Sequence, residues 1–246
     1  VTSNHGSDNL SVLLGRGDGT FETAVNYEVG TQPADALPVD LDGDGTLDLV
    51  SANLGGSELS VWLGAGDGTF AAGSDIAVGS GPIYLASQDI NGDTIDDLLS
   101  VNSSGSLSLL LSDGTGGHLA IQTYEVGEYP VSASFGDVNE DGRADLLVAN
   151  FGGRDFSLLL GNQPTATRAF QNESRVSTSK TPNFAALVDF NEDNHLDIVS
   201  CNFGGAVLLA LGGGDGSFEV PPPSITVGQR PACLRSSDID GDGDLD

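Results

Sequence analysis

Five acidic nonapeptides carry the side chains best placed for chemistry: residues 40–48, 89–97, 137–145, 189–197 and 238–246. Each offers side-chain oxygen at its first, third, fifth and ninth positions. The candidate ligands are Asp40, Asp42, Asp44 and Asp48; Asp89, Asn91, Asp93 and Asp97; Asp137, Asn139, Asp141 and Asp145; Asp189, Asn191, Asp193 and Asp197; and Asp238, Asp240, Asp242 and Asp246. Alternation at positions 1, 3 and 5 aims oxygens into one concavity, position 7 can add its backbone carbonyl, and position 9 closes the shell. That donor set suits calcium. Magnesium would keep more water and needs fewer carboxylates, while zinc or iron would call for cysteine or histidine clusters that the loops lack. His195, at position 7, would use only its carbonyl. Seventeen of the 36 acidic residues gather at these positions, and like charges so close are costly without a cation. Up to five Ca2+ are expected, which would bring the formal charge of -28 to about -18.

The loops are not expected to be equal. Position 6 favours a left-handed backbone; Gly45, Gly142 and Gly243 suit it, Asn194 tolerates it, and β-branched Thr94 does so poorly. The second loop should therefore bind most weakly. The opening matches the helical calcium loop, but no glutamate stands at position 12 and strands flank each copy, so an ordinary helix-loop-helix site is ruled out.

The elements that hold the loops repeat with them. First-ligand spacings are 49, 48, 52 and 49 residues. Asn53, Asn102, Asn150 and Asn202 follow the ninth position by five residues, with Asn4 one period earlier; Gly-x-x-Pro steps precede the loops at Gly30, Gly79, Gly127 and Gly228. No linker or composition break divides residues 1–246, which read as one repeat array. Within a repeat, turn signals separate four short strands, for example 34–41, 48–54, 59–64 and 70–78. The third strand is almost wholly apolar in every copy, as in Leu107 to Leu111, so both of its faces should be covered. Radially packed four-stranded sheets satisfy this, and the expected fold is an all-β propeller. Gly64 to Phe70 and its counterparts Gly15 to Phe21 and Gly212 to Phe218 read as tight hairpins whose glycines supply positive φ. The remainder of one period allows a closed five-bladed ring, and an excerpt of a longer, for example seven-bladed, array is the favoured expectation.

The nonapeptides, Ala149-Asn-Phe-Gly-Gly153, Cys201-Asn-Phe-Gly-Gly205 and the Gly-Asp-Gly-Thr-Phe hairpins resemble the FG-GAP or VCBS-type repeats of the integrin alpha-subunit propeller and many bacterial surface proteins. The resemblance implies a propeller with calcium between the first and second strands of a blade, and an extracellular or cell-surface adhesion or binding module. An alternative is a propeller domain of a larger secreted enzyme such as a polysaccharide lyase.

Binding is expected at the turns opposite the acidic loops, where Tyr129, Phe151, Arg154, Phe203 and Arg230 are the candidate ligand-face residues for a protein or carbohydrate partner. The asparagines read as turn residues bonding their own backbone, and Phe151 and Phe203 as fillers between blades. Enzyme signatures are thin: three histidines, no nucleophile elbow and no phosphate loop. A non-enzyme is expected. With 8 cationic residues against 36 acidic ones, no basic stripe exists to follow nucleic acid, and no apolar run approaches a helical membrane span. Cys201 and Cys233 read as buried unpaired thiols, with an inter-blade disulfide as the alternative.

Overall fold

The computed structural model describes residues 1–115, 118–163, 168–178, 180–219, 224–240, 242 and 245, and among them there is no helix. Gly243 and Asp246, the expected sixth and ninth positions of the last loop, lie outside the described residues. The chain forms two compact units, Val1–Tyr124 and Glu125–Asp246.

In the first unit, β1 (Thr2–Asn4), β2 (Asn9–Val12) and β3 (Val25–Glu28) form an antiparallel sheet. The next sheet runs β4 (Pro33–Val39), β5 (Asp48–Asn53), β6 (Glu58–Gly64) and β7 (Phe70–Ala72), with β8 (Ile76–Ala77) also pairing β6. A third comprises β9 (Pro82–Gln88), β10 (Asp97–Asn102), β11 (Ser106–Ser112) and β12 (His118–Glu125) in consecutive order. The second unit repeats the plan with β13 (Pro130–Gly136), β14 (Asp145–Asn150), β15 (Asp155–Leu159) and β16 (Ser174–Ser177). Its other sheet holds β17 (Pro182–Val188), β18 (Asp197–Asn202), β19 (Ala206–Gly212) and β20 (Phe218–Glu219), with β21 (Ile225–Thr226) also on β19. These are up-and-down antiparallel blades of the β-propeller type, with strands pairing in chain order along each sheet. First strands lie side by side, β4 against β1 and β9 in one unit and β13 against β17 in the other.

Within each unit, alternation packs one sheet on the next. In the first unit Val50, Ala52, Leu59 and Val61 meet Leu85, Leu98 and Leu110, while Leu10, Val12, Tyr27 and Leu49 gather Trp62 and Phe70 around them. Tyr27 meets Trp62 and Phe70 edge to face, at centroid distances of 5.0 and 5.4 Å. In the second, Leu147, Ala149 and Phe156 pack with Ala185, Ile198, Leu208 and Ala210. The predicted hairpins form as expected: Gly66 and Gly68 adopt φ of 77° and 87°, and Ala65 N–H bonds Thr69 O at 3.0 Å.

The third strand is covered on both faces as expected over most of β11 and β15, and over part of β6 and β19, but the strand buried at every residue is the second of each blade, β5, β10, β14 and β18. Serines and asparagines in the second strand disguise it. These asparagines are also not self-bonded turn residues. Asn53, Asn102 and Asn150 are fully buried, and their amides donate to Ser60, Ser108 and Ser157 Oγ on the third strand at 3.1, 3.1 and 2.8 Å. The same serine oxygens accept the N–H of Gly30, Gly79 and Gly127 at 3.2, 3.1 and 3.1 Å. A Cβ on any of these glycines would lie within 2.5 Å of the asparagine amide, so the repeated glycine lets the chain entering a blade approach its second strand. In the last blade Leu208 replaces the serine, and Asn202 Oδ1 is buried without a partner.

Candidate functional site

Four acidic loops, 40–48, 89–97, 137–145 and 189–197, join the first and second strands of a blade, and they share one hydrogen-bond plan. The position-1 carboxylate accepts the N–H of position 6: Asp40 from Gly45 (2.9 Å), Asp89 from Thr94 (2.8 Å), Asp137 from Gly142 (2.8 Å) and Asp189 from Asn194 (2.9 Å). Position 3 accepts from position 5, as in Asp42 from Asp44 N–H (3.2 Å) and Asn91, Asn139 and Asn191 from Asp93, Asp141 and Asp193 N–H. Position 5 accepts from position 7, as in Asp44 from Thr46 N–H (2.7 Å) and Asp193 from His195 N–H (2.9 Å). The plan turns successive side chains to one side of a tight loop.

Left-handed backbone is needed at position 6, where Gly45, Thr94, Gly142 and Asn194 adopt φ of 86°, 74°, 82° and 69°. Position 4 is left-handed as well, which the sequence reading missed: Gly43, Gly92, Glu140 and Glu192 have φ of 71°, 82°, 57° and 61°. Glycine in the first two copies was the available signal.

Position 9 has a role beyond closing a shell. Asp48, Asp97, Asp145 and Asp197 are buried, and each splits its two oxygens between two backbone donors. Asp48 takes Leu41 N–H (2.9 Å) and Gly64 N–H (2.8 Å), so one carboxylate ties the acidic loop to the end of the third strand. Asp97 does so with Ile90 and Ser112, Asp145 with Val138 and Gly161, and Asp197 with Phe190 and Gly212. Burial lifts Asp48, Asp97 and Asp145 above the ordinary carboxylate range against the pull of those N–H groups, and Asp42 with Asp44, Asp93 with Asp89, and Asp141 with Asp137 add repulsion.

The donor chemistry fits a hard divalent cation. Carboxylate oxygens of Asp40, Asp42 and Asp48 lie within 4.8 Å of one another, as do those of Asp238, Asp240 and Asp242. Asp40 Oδ1 and Asp189 Oδ1 are buried without any hydrogen-bond partner, although such a group ordinarily finds one. Both are first ligands. In the third loop Arg143 contacts Asp141 and reaches Gly161 O at 3.2 Å, so a cation there would share Asp141 with a guanidinium. His195 and Glu140 touch, joining the third and fourth loops by side chains the sequence reading left without a role.

At the opposite end of the second unit's blades, four of the five expected ligand-face residues come together. Tyr129 and Phe151 lie 6.1 Å apart at 64°, Phe151 and Phe203 lie 5.5 Å apart at 82°, and the Arg230 guanidinium sits 4.9 Å from the Phe203 ring centre. Arg154 closes the turn that Phe151 opens, with its N–H on Asn150 O at 2.9 Å. Tyr129 and Phe203 are 48% and 40% exposed, so Phe203 does not fill a gap between blades as expected. Cys201 is buried and free, whereas Cys233 is free but exposed, contrary to expectation.

Repeated four-stranded blades, with an acidic loop between the first and second strands, define a β-propeller of the kind that presents different functions on one scaffold. The FG-GAP-like repeat family matches residues 1–51, 40–87, 89–148 and 189–246, and the chain belongs to that family. No curated protein matches the sequence. Among solved structures, the Pseudomonas aeruginosa periplasmic gluconolactonase PpgL is similar at 19% identity and TM-score 0.62, over 90% of this chain and 64% of its own. An Agrocybe aegerita lectin specific for non-reducing terminal N-acetylglucosamine is similar at 19% identity and TM-score 0.54, over 88% and 60%. BBS1N, solved in complex with ARL6DN, is similar at 15% identity and TM-score 0.55, over 82% and 56%. The chain thus spans less than two thirds of each of these proteins.

The expectation of a non-enzyme is overturned by the likeness to a gluconolactonase, which places an enzyme on this same fold. Searching for nucleophile elbows and phosphate loops missed this because a propeller assembles reactive groups from separate loops, where no contiguous motif is needed. No helix among the described residues is long and apolar enough to cross a membrane.

Proposed function

We propose that this chain is a calcium-stabilised, extracellular binding module that engages a protein or carbohydrate through the turns opposite its acidic loops. The observation that carries the metal part is the pair of buried, unpartnered first-position oxygens, Asp40 Oδ1 and Asp189 Oδ1. Calcium supplies positive charge that offsets the crowding of carboxylates; the chain's residues supply the preformed turn, the left-handed positions 4 and 6, and the position-9 clamp. Millimolar calcium outside cells fills even weak sites of this class, which is why an extracellular setting fits the loops. The exposed aromatic and arginine side chains of the opposite turns support recognition there, since such residues dominate binding energy. Both a sugar-recognising lectin and a protein-binding chain use this fold.

The test is thermal melting of the full chain in calcium and in chelator. A site binding only the folded form adds about 2.7 kcal/mol when calcium is at 100 times Kd. A melting temperature indifferent to calcium would refute the metal reading.

A further inference from the structure

The chain is poor in cations, and in the second unit they are unevenly used. Arg143 pairs with Asp141, and Arg175 with Asp155 and Glu173. Arg154, Lys180 and Arg230 are exposed, and none of them has a carboxylate partner among the described residues. All three sit in the turns opposite the acidic loops: Arg154 beside Phe151, Lys180 next to Thr181, whose carbonyl accepts Phe203 N–H at 3.0 Å, and Arg230 over the Phe203 ring. The same turns carry one carboxylate, Glu128. On a chain of net charge -28, this end of the blades is a local cationic patch built around three aromatic rings.

Backbone conformation adds a second observation. The residue before the blade-entry proline is left-handed in every described Gly-x-x-Pro step: Gln32 (55°), Gly81 (67°), Tyr129 (48°) and Arg230 (54°). Gly81 shows that glycine fills the position. A large side chain there costs backbone energy, so Tyr129 and Arg230 are retained at a position where folding favours glycine. Arg154, with φ of 58°, repeats this in the neighbouring turn.

Resting on the binding-module reading above, we propose that this patch recognises an acidic carbohydrate, a chain of sugars bearing carboxylates. The exposed parts of Tyr129 and Phe203 pack against apolar faces of the sugars, and Phe151, edge to face with both, holds the two rings in place. Arg154, Lys180 and Arg230 pair with the carboxylates, Arg in a bidentate manner. Half-exposed Tyr129 and Phe203 offer on the order of 200 Å² of ring surface beside the three cations, a footprint that suits a few sugar rings.

The experiment is isothermal titration of the calcium-saturated full chain with tetragalacturonate, its methyl ester, cellotetraose and an Asp/Glu hexapeptide. Each is repeated with Tyr129→Gly and Arg230→Gln, and melting curves are recorded for all proteins. Tetragalacturonate should bind at least tenfold more tightly than the other three probes. Each variant should lose at least tenfold in that affinity, and Tyr129→Gly should melt no lower than the unsubstituted chain. Equal affinity for the methyl ester, binding of the peptide alone, no sugar binding, or an unaffected Tyr129→Gly would each overturn the assignment. Calcium-dependent melting in the same samples separates its failure from failure of the metal reading.

Discussion

Asp48 clamps the first acidic loop to its blade, and replacing it with asparagine isolates that function from metal binding. Both carboxylate oxygens accept backbone N–H groups, from Leu41 at 2.9 Å and Gly64 at 2.8 Å, at a residue only 1% exposed. Asparagine retains one acceptor oxygen, so one N–H would face an amide N–H2 and be orphaned, at about 1–3 kcal/mol. The surviving bond loses its charge assistance, about 1 kcal/mol more. Relief of the burial and the Asp42 and Asp44 repulsion that raise the Asp48 pKa offsets part of this. The net expectation is a loss of about 2 kcal/mol in chelator, read from urea unfolding. Asp40→Asn provides the contrast. Its remaining oxygen can still accept Gly45 N–H, and the buried unpartnered Oδ1 is removed, so stability in chelator should hold or rise. In calcium the same variant should be the less stable one, having lost a first ligand. A loss under 0.5 kcal/mol for Asp48→Asn in chelator would refute the clamp, and an Asp40→Asn effect of the same sign with and without calcium would refute the ligand assignment.

Thr94→Gly should raise calcium affinity at the second loop by about fivefold, corresponding to roughly 1 kcal/mol of left-handed strain at its φ of 74°; titration calorimetry showing no gain would count against it. Ser157→Ala should destabilise by about 1–3 kcal/mol in denaturant unfolding, because Gly127 N–H loses its acceptor and Asn150 Nδ2 loses one of two, keeping Asp155 Oδ1; a change near zero would show the lock to be dispensable. Asp67 is held below its ordinary value of 3.8 by the Thr69 hydroxyl and then its N–H, so its contribution to stability is present above 3.8 and is lost as pH falls through the lower folded value. Thr69→Val should move the Asp67 titration, followed by NMR, back toward 3.8, and no movement would contradict the assigned cause.

Much of the blade was legible because its signals are local. Pro33–Val39, Asp48–Asn53, Glu58–Gly64 and Phe70–Ala72 fall close to the strands that turn residues and apolar runs marked out. The hairpin glycines adopt the positive φ their type suggests. What failed was judging burial by polarity. Ser51, Ser100 and Ser200 and all four repeat asparagines are fully buried, since their polar atoms are taken up across the blade or lie between packed sheets, and no one-dimensional pattern encodes those partners. The absence of enzyme motifs likewise said little, because a propeller's reactive groups would meet only through its loops.

By itself the sequence determined the repeat, the blade and the placing of side-chain oxygens at every loop, since spacing, turn chemistry and strand alternation act over a few residues. Only tertiary structure decided that the ninth aspartate is a buried clamp, that Gly30, Gly79 and Gly127 make room for an asparagine-serine lock in three blades, and that Tyr129, Phe151, Phe203 and Arg230 form one patch. These depend on distances between residues tens of positions apart. Backbone hydrogen bonding and sheet packing set those distances, and residue type alone does not.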